Sequence, residues 1–434
     1  MANKKVLIIT YYWPPAGGIP VQRWLKFAKY LRENQWEPVI YTVSNGDYLT
    51  DESLLTDVPK DIEVIRQPIW EPYTLYRFLS NSKKAKKNAR IEMTKGHKVS
   101  LLQKISVWLR GNLFIPDARR FWIGPSFRFL RKYLRDNKAD VIVSTGPPHS
   151  THIIGMKLHK DLGIPWLADF RDPWTSMDYY HDLNLTDWAD RKHQSLEREV
   201  IQTASKVTVI GNSMKEEFEG KGSKQVVVLP NGFDEEDFKL SAPVPLDKKF
   251  SIVHTGSFFP RRNPLALWKA LSKLKEESHP VMKDIEIKLV GNVHETVINS
   301  INTFGLNSYL NLVAQKPFKE VLVDIHAAQI LLLPIDNFEG AKWVITGKAY
   351  EYLAVKRPIL CIGPPDGDAA FTINSTQSGK AFGFTDVDGI KAQLIKWHHE
   401  FKEGNLKVNS REIESYSRKG LTRELATILN TISA

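Results

Sequence analysis

Two successive runs of short apolar segments, each alternating with stretches of helical periodicity, constrain this chain more than any other feature. In the first run, strand-like segments are expected at residues 5–10, 38–42, 62–66, 141–144, 166–170, 207–210 and 226–229. Helix-like segments are expected between them at 20–33, 125–136, 150–162, 185–203 and 213–219. Short strands that are apolar throughout and separated by helices form parallel sheets with helices on both faces. The alternation restarts with strands at 250–254, 285–290, 330–333 and 358–362 and helices at 264–277, 294–304, 319–328, 347–355 and 387–401. Between the runs, Pro230, Asn231 and Gly232 signal a turn, and residues 239–249, with Pro243 and Pro245, read as a linker. The expected fold class is therefore α/β, with two Rossmann-like doubly wound domains. The first covers 1–235, with a basic insertion at 77–120, and the second covers 236–409. A last helix is expected in the 410–434 block, over 410–432, with Leu421, Leu425, Ile428 and Leu429 on one side.

The 434 residues are enough for two separate cores. The single cysteine, Cys361, excludes an intramolecular disulfide, fits a reducing compartment, and reads as a small core residue in its apolar strand. The first apolar run is too short for a signal-peptide core, and no segment reaches the roughly 20 apolar residues of a membrane span. The expected location is the cytoplasm, with peripheral attachment to the inner face of the cell membrane as an option. The net charge of +11 is uneven. Arg77, Lys83, Lys84, Lys86, Lys87, Arg90, Lys95, Lys98, Lys104 and Arg110 cluster with Glu92 as the only acid among them, and Ile105, Val107, Trp108, Leu109, Leu113 and Phe114 accompany the end of the run. This pattern suits a surface drawn to anionic lipid with an amphipathic anchor behind it. The other reading is a solvated insertion without a partner. Nucleic acid is disfavoured, because the stretch lacks repeated aromatic interleaving for base stacking.

The motifs with chemical content lie where strands pass into helices, at the sheet edge where doubly wound folds bind ligands. Gly17 and Gly18, after Pro14 and Pro15, let a ligand approach the backbone, although no GxGxxG follows the first strand. His149 and His152 stand at a helix start; they lack further ligands at metal-binding spacing. Asp169, Arg171 and Asp172 place three charges at one strand end, as site residues or as an internal ion pair. In the second half, Arg261 and Arg262 follow the turn at Gly256 and Ser257 and suit a diphosphate. Gly291 and Asn292 end the next strand. Lys348 and Glu351, three apart after Gly347, share one helix face. A lysine there supplies charge for a diphosphate and a glutamate can accept both ribose hydroxyls; the alternative is a capped surface helix with an ion pair. Asp366-Gly367-Asp368 has the form of a metal-binding DxD, but Asp366 or Asp368 reads better as a helix cap.

Taken together, these residues resemble the GT-B glycosyltransferases, in particular the family 4 retaining enzymes of bacterial surface-polysaccharide synthesis. The likeness spans nearly the whole chain. It rests on residues 14–18, 144–149, 169–174, 229–234, 256–262 and 347–354 in that order. The resemblance implies two Rossmann-like domains facing a cleft, with the last helix crossing back to the first domain. The C-terminal domain would hold the nucleotide-sugar and the N-terminal domain the acceptor. Glu351 matches the family glutamate on the ribose, and Arg262 the basic residue on the diphosphate. Two positions depart from the pattern. Trp343 stands where a second glutamate usually lies, and Ser257 where an arginine often follows the glycine. Lys342 and Lys348 are the cations placed to compensate.

The expected activity is a retaining, metal-independent glycosyl transfer from a nucleotide-diphosphate sugar, a substrate rather than a cofactor, to a glycan or lipid-linked acceptor. His149, Asp172, Arg262 and Lys348 are the expected catalytic residues. Gly256, Ser257, Arg261, Lys342, Gly347, Glu351 and Asp368 join Arg262 and Lys348 on the donor. Gly17, Gly18, Asp169 and Arg171 join His149 and Asp172 on the acceptor. The alternatives are a nucleotide-sugar epimerase on the same fold and a non-enzymatic sugar- or nucleotide-binding protein. The latter is favoured by Trp343.

Overall fold

The computed structural model describes residues 3–71, 101–178, 180–240 and 242–434. They form two compact units. The first comprises Met1–Ile210, Met214–Leu229 and Thr422–Ala434, and the second Gly211–Ser213 and Pro230–Leu421.

The first unit is built on strands β1 (Lys4–Ile9), β2 (Trp36–Val43), β3 (Glu63–Gln67), β4 (Val141–Gly146), β5 (Trp166–Phe170), β6 (Lys206–Val209) and β7 (Val226–Val228). They make one sheet in the order β3-β2-β1-β4-β5-β6-β7, parallel throughout. Val6 to Ile9 of β1 are fully buried, which is why the strand reads as a continuous apolar run. From β1 the chain winds outward to β2 and β3, then returns to β4 on the other side. The β1/β4 boundary is thus a topological switch point, and the loops after these strands form a crevice at their carboxyl ends. Helices α1 (Ile19–Leu31), α2 (Leu101–Asn112), α3 (Arg120–Asp136), α4 (Ser150–Leu162), α5 (Asp187–Thr203) and α6 (Asn212–Gly220) connect the described strands. Local chemistry sets their ends: Gly163, at φ 69°, closes α4, and the Thr186 hydroxyl accepts from the Ala189 amide to start α5.

The second unit repeats the plan with β8 (Phe250–Thr255), β9 (Ile285–Val290), β10 (Leu310–Val313), β11 (Ile330–Pro334), β12 (Ile359–Ile362) and β13 (Gly379–Phe382). Their order is β10-β9-β8-β11-β12-β13, again parallel. The helices are α7 (Leu265–Glu276), α8 (Val281–Asp284), α9 (Glu295–Thr303), α10 (Phe318–Ala327), α11 (Gly347–Val355), α12 (Asp368–Ser375) and α13 (Val387–Lys402); α14 (Arg418–Ile432) starts in this unit and runs on into the first. Phe250, Ile252, Leu289, Leu332 and Leu360 of the sheet bury against Trp268 and Leu271 of α7 and Trp397 of α13.

The edge strands and the start of the last helix differ from the sequence expectation. Edge strands β10 and β13 were not anticipated, because their residues are half-buried or exposed and show no apolar run. The last helix begins at Arg418, not at 410. Ser417 is extended and its hydroxyl accepts the Gly420 amide at 3.0 Å, an N-cap that separates α14 from the preceding 3-10 turn at Ile413–Tyr416. Thr422–Ala434, which takes in most of α14, belongs to the first unit, and within it Lys4 Nζ donates to Ser433 Oγ at 3.0 Å. Most of the basic run, Arg77 to Lys98, lies outside the described residues. No helix among the described residues is long and apolar enough to cross a membrane.

Candidate functional site

In the second unit, the carboxyl ends of β8 and β9 turn sharply. Gly256 (φ 91°) follows β8 and Gly291 (φ 124°) follows β9, conformations that disfavour any side chain. The two turns touch: a Cβ on Gly291 would lie 2.5 Å from the Gly256 carbonyl oxygen, and one on Gly256 would lie 2.9 Å from Lys348 Nζ. The Gly256 amide donates to Val290 at 2.7 Å and the Phe258 amide to Asn292 at 2.9 Å, which fixes this seam. The glycines therefore bring backbone against backbone and let the Lys348 ammonium rest on the first turn.

A pocket of about 230 Å³ opens at this place. Gly256, Ser257, Lys348 and Glu351 line it together with Gly291 and Asn292, and Gln315, Lys316, Phe318 and Val321 complete the wall. Lys348 and Glu351 are half-buried on α11. Burial pushes the Glu351 carboxyl above its ordinary value, with the Lys348 charge opposing. Burial also lowers the Lys348 ammonium, opposed by Glu351 and reinforced by the nearby Arg262 guanidinium. Lys348 and Glu351 thus share a partly desolvated pocket, with the Arg262 guanidinium near Lys348 but outside the lining.

The other donor residues expected from the sequence are placed as follows. Arg262 Nε and Nη2 both donate to Asp336 Oδ2, at 2.9 and 2.8 Å, so the guanidinium is held in one orientation. The Arg261 carbonyl accepts from the Asn337 amide at 2.8 Å, tying the same turn to the loop after β11. Gly347 opens α11. Lys342 is exposed and paired with Asp366, away from the pocket lining. Asp368 is buried as the first residue of α12 and does not line the pocket. Of the two lysines considered as compensation for Ser257 and Trp343, Lys348 is the one at the turn. Among the described residues, no group of three or more His, Cys, Asp or Glu is arranged to hold a metal ion.

In the first unit, the β1/β4/β5 loops gather the residues expected at the acceptor. The Gly17 amide donates to Leu49 at 2.7 Å, and a Cβ there would meet Asp51 Cβ at 2.9 Å. Gly18, at φ 89°, starts α1. His149 is buried, lies flat on Trp174 with ring centroids 4.5 Å apart, and its Nδ1 has no hydrogen-bond partner among the described residues. Burial, with the His152 charge next in importance, lowers its pKa well below the ordinary value.

Asp169 and Arg171, expected at the acceptor, are held in internal hydrogen-bond networks. Asp169 is 0% exposed. Its oxygens accept from Arg23 Nη2 (2.7 Å), Trp24 Nε1 (2.7 Å), Thr145 Oγ1 (2.9 Å) and Thr208 Oγ1 (2.8 Å). That set fills the capacity of a carboxylate. Burial raises its pKa, but the Arg23 charge and these bonds outweigh it and hold the carboxyl below its ordinary value. Arg171 is likewise spent on backbone: it donates to Gly146 (3.2 Å), Pro20 (3.0 Å) and Pro147, stapling the loops together. Asp172 is half-buried beside the Arg171 charge.

Sequence reasoning missed the pocket wall at Gln315–Val321. Its only signal was a polar pair before Pro317, and β10, which positions it, carried no apolar run.

Residues 20–232 match the profile of the glycosyl transferase 4-like domain. None of the curated proteins matches at the sequence level. The fold matches a glycosyltransferase from Rickettsia africae at 14% identity and TM-score 0.58, covering 100% of this chain and 99% of that one. It also matches Anabaena HepE in complex with UDP, at 12% identity and TM-score 0.55, covering 99% and 97%. A third match is WaaG, a glycosyltransferase involved in lipopolysaccharide biosynthesis, at 15% identity and TM-score 0.51, covering 98% and 99%.

Proposed function

We propose that this protein, a glycosyltransferase by its glycosyl transferase 4-like domain and its GT-B fold, moves a sugar from a nucleotide-diphosphate sugar to a glycan or lipid-linked acceptor in polysaccharide synthesis. The observation that carries this reading is the Lys348 ammonium resting on the Gly256 turn in the pocket that Glu351 also lines. A diphosphate placed there meets Lys348, the oriented Arg262 and the backbone of two glycine turns. Glu351 then accepts the ribose hydroxyls. The binding of UDP by a structural neighbour supports a nucleotide donor.

In the proposed reaction, the bond between the sugar's anomeric carbon and the diphosphate oxygen breaks, and the leaving group keeps the electron pair. Lys348 and Arg262 stabilise that growing charge in a partly dry site. The acceptor hydroxyl adds from the face the diphosphate leaves, so configuration is retained, and its proton passes to the departing phosphate. His149 and Asp172 orient the acceptor beside the Gly17–Gly18 loop. No metal ion is required, because fixed cations take the diphosphate charge.

We further propose that the first unit docks on an anionic membrane. Beyond the cationic run at 77–98, the described surface exposes Trp70, Trp108, Leu113 and Phe121, with the Trp70 and Phe121 rings 4.7 Å apart. Arg110, Arg120, Arg128, Lys132 and Arg135 are exposed on α2 and α3. Aromatic and aliphatic side chains among basic ones suit the headgroup boundary.

Thermal shift against UDP-, GDP-, ADP- and CMP-sugars, followed by turnover with a membrane extract as acceptor in EDTA, tests the enzymatic reading. Transfer that persists in EDTA is expected. Conversion of donor without acceptor would favour the epimerase, and loss of turnover restored by manganese would bring Asp366 and Asp368 back as ligands.

A further inference from the structure

Resting on the donor-site reading above, we infer that Lys316, held by the buried Asp324, makes the pocket selective for a nucleotide whose base carries a carbonyl oxygen at its outer edge, as uracil and guanine do. The wall opposite the glycine turns comes from the segment after β10. Counted across the sheet, β10 is two strands from β8, which places Lys316 on the order of 10 Å from the Gly256 turn. The helix bearing Glu351 packs against α10, and Glu351 lines the same pocket as both ends. A nucleoside diphosphate with its phosphates at Gly256 and Lys348 and its ribose at Glu351 therefore directs its base toward Lys316 and Phe318.

This end of the pocket is constructed, not merely exposed. Asp324 is 5% exposed on α10 and accepts from Lys288 Nζ of β9 at 2.8 Å and from Lys316 Nζ at 2.9 Å. One acid thus holds two lysines, and the second lines the pocket. An ammonium has three donors and no acceptor; after the bond to Asp324, Lys316 keeps two N–H groups for a ligand. Phe318 is 47% exposed where it lines the pocket and is braced by Phe238, ring centroids 6.0 Å apart. It offers a base an aromatic face, which every base can use. Selectivity therefore falls to Lys316. A carbonyl oxygen facing it receives a charge-assisted hydrogen bond, whereas the exocyclic amino group of cytosine or adenine sets donor against donor. Asp324 acts through Lys316 and is a positioning residue.

The test is calorimetric binding of UDP, CDP, GDP and ADP to the full chain. UDP over CDP, or GDP over ADP, is expected by at least about tenfold. Lys316→Met should bring the favoured ratio close to one while leaving thermal unfolding unchanged, because Lys288 still satisfies Asp324. Asp324→Asn, if it folds, should reduce the ratio in part. A ratio unchanged in Lys316→Met, or a wild-type preference for CDP or ADP, overturns the inference and leaves the donor site standing. Absence of binding by any of the four overturns the donor-site reading and this inference with it.

Discussion

Histidines 149, 152 and 254 are buried, and burial lowers the pKa of each. His152 bonds Ser144 Oγ through Nδ1 and stacks on Phe170, and burial lowers its pKa to about 3. His254 contacts the Leu332 carbonyl through Nδ1, and burial lowers it to about 3 as well. Each folded value lies below the unfolded value near 6.5, so between the two the unfolded chain binds more protons. Their stabilising contribution is complete above pH 6.5 and is lost as pH falls toward 3. Denaturant unfolding measured from pH 7.5 to 5 should show stability dropping by up to about 1.4 kcal/mol per pH unit for each such histidine. A flat profile over that window would mean that the folded and unfolded chains bind protons at these rings equally. At this scale, what could be read from sequence depended on separation along the chain. Lys348 and Glu351 lie on one helical turn and were legible as a pair. The Arg262–Asp336 bond spans 74 positions and the Arg23–Asp169 bond 146, and nothing local announces either. Asp169 was expected at the acceptor or, alternatively, in an internal ion pair, and the fold pairs it with Arg23 of α1.

At the scale of elements, Asp169 is what ties β5 to its surroundings. It joins α1 through Arg23 and Trp24, β4 through Thr145 and β6 through Thr208. Removing the acid strands a buried guanidinium, a loss that costs about 3–5 kcal/mol. Asp169→Ala should therefore shift the unfolding of the first unit to markedly lower denaturant. Because the second unit has its own core, its transition should stay in place. A single transition moving as a whole would mean that the units do not unfold separately. Central strands such as β11 and β12 were legible to within a residue, because burial on both faces leaves an uninterrupted apolar run. Edge strands β10 and β13 were not, since one side of each faces solvent. The missed β10 concealed the wall that follows it, so Lys316 and Phe318 went unnoticed while the glycine turns did not.

For the whole molecule, the uneven charge and the exposed Trp70–Phe121 pair bear on location. Each Lys or Arg held near an anionic surface contributes on the order of 1 kcal/mol, and salt weakens it. Flotation with anionic vesicles at low salt should carry the protein upward, less so at high salt and little with neutral lipid. Equal, negligible flotation in all conditions would leave the +11 charge without a role in membrane docking. The donor pocket in the second unit is the more decisive matter, since the proposed chemistry depends on it. Its most direct test is calorimetric titration of nucleoside diphosphates into the wild-type chain and Glu351→Ala. The donor-site reading predicts saturable binding by the wild type, weakened by about 1–3 kcal/mol in a variant that unfolds normally. Equal affinity in the two proteins would place the nucleotide elsewhere and contradict it.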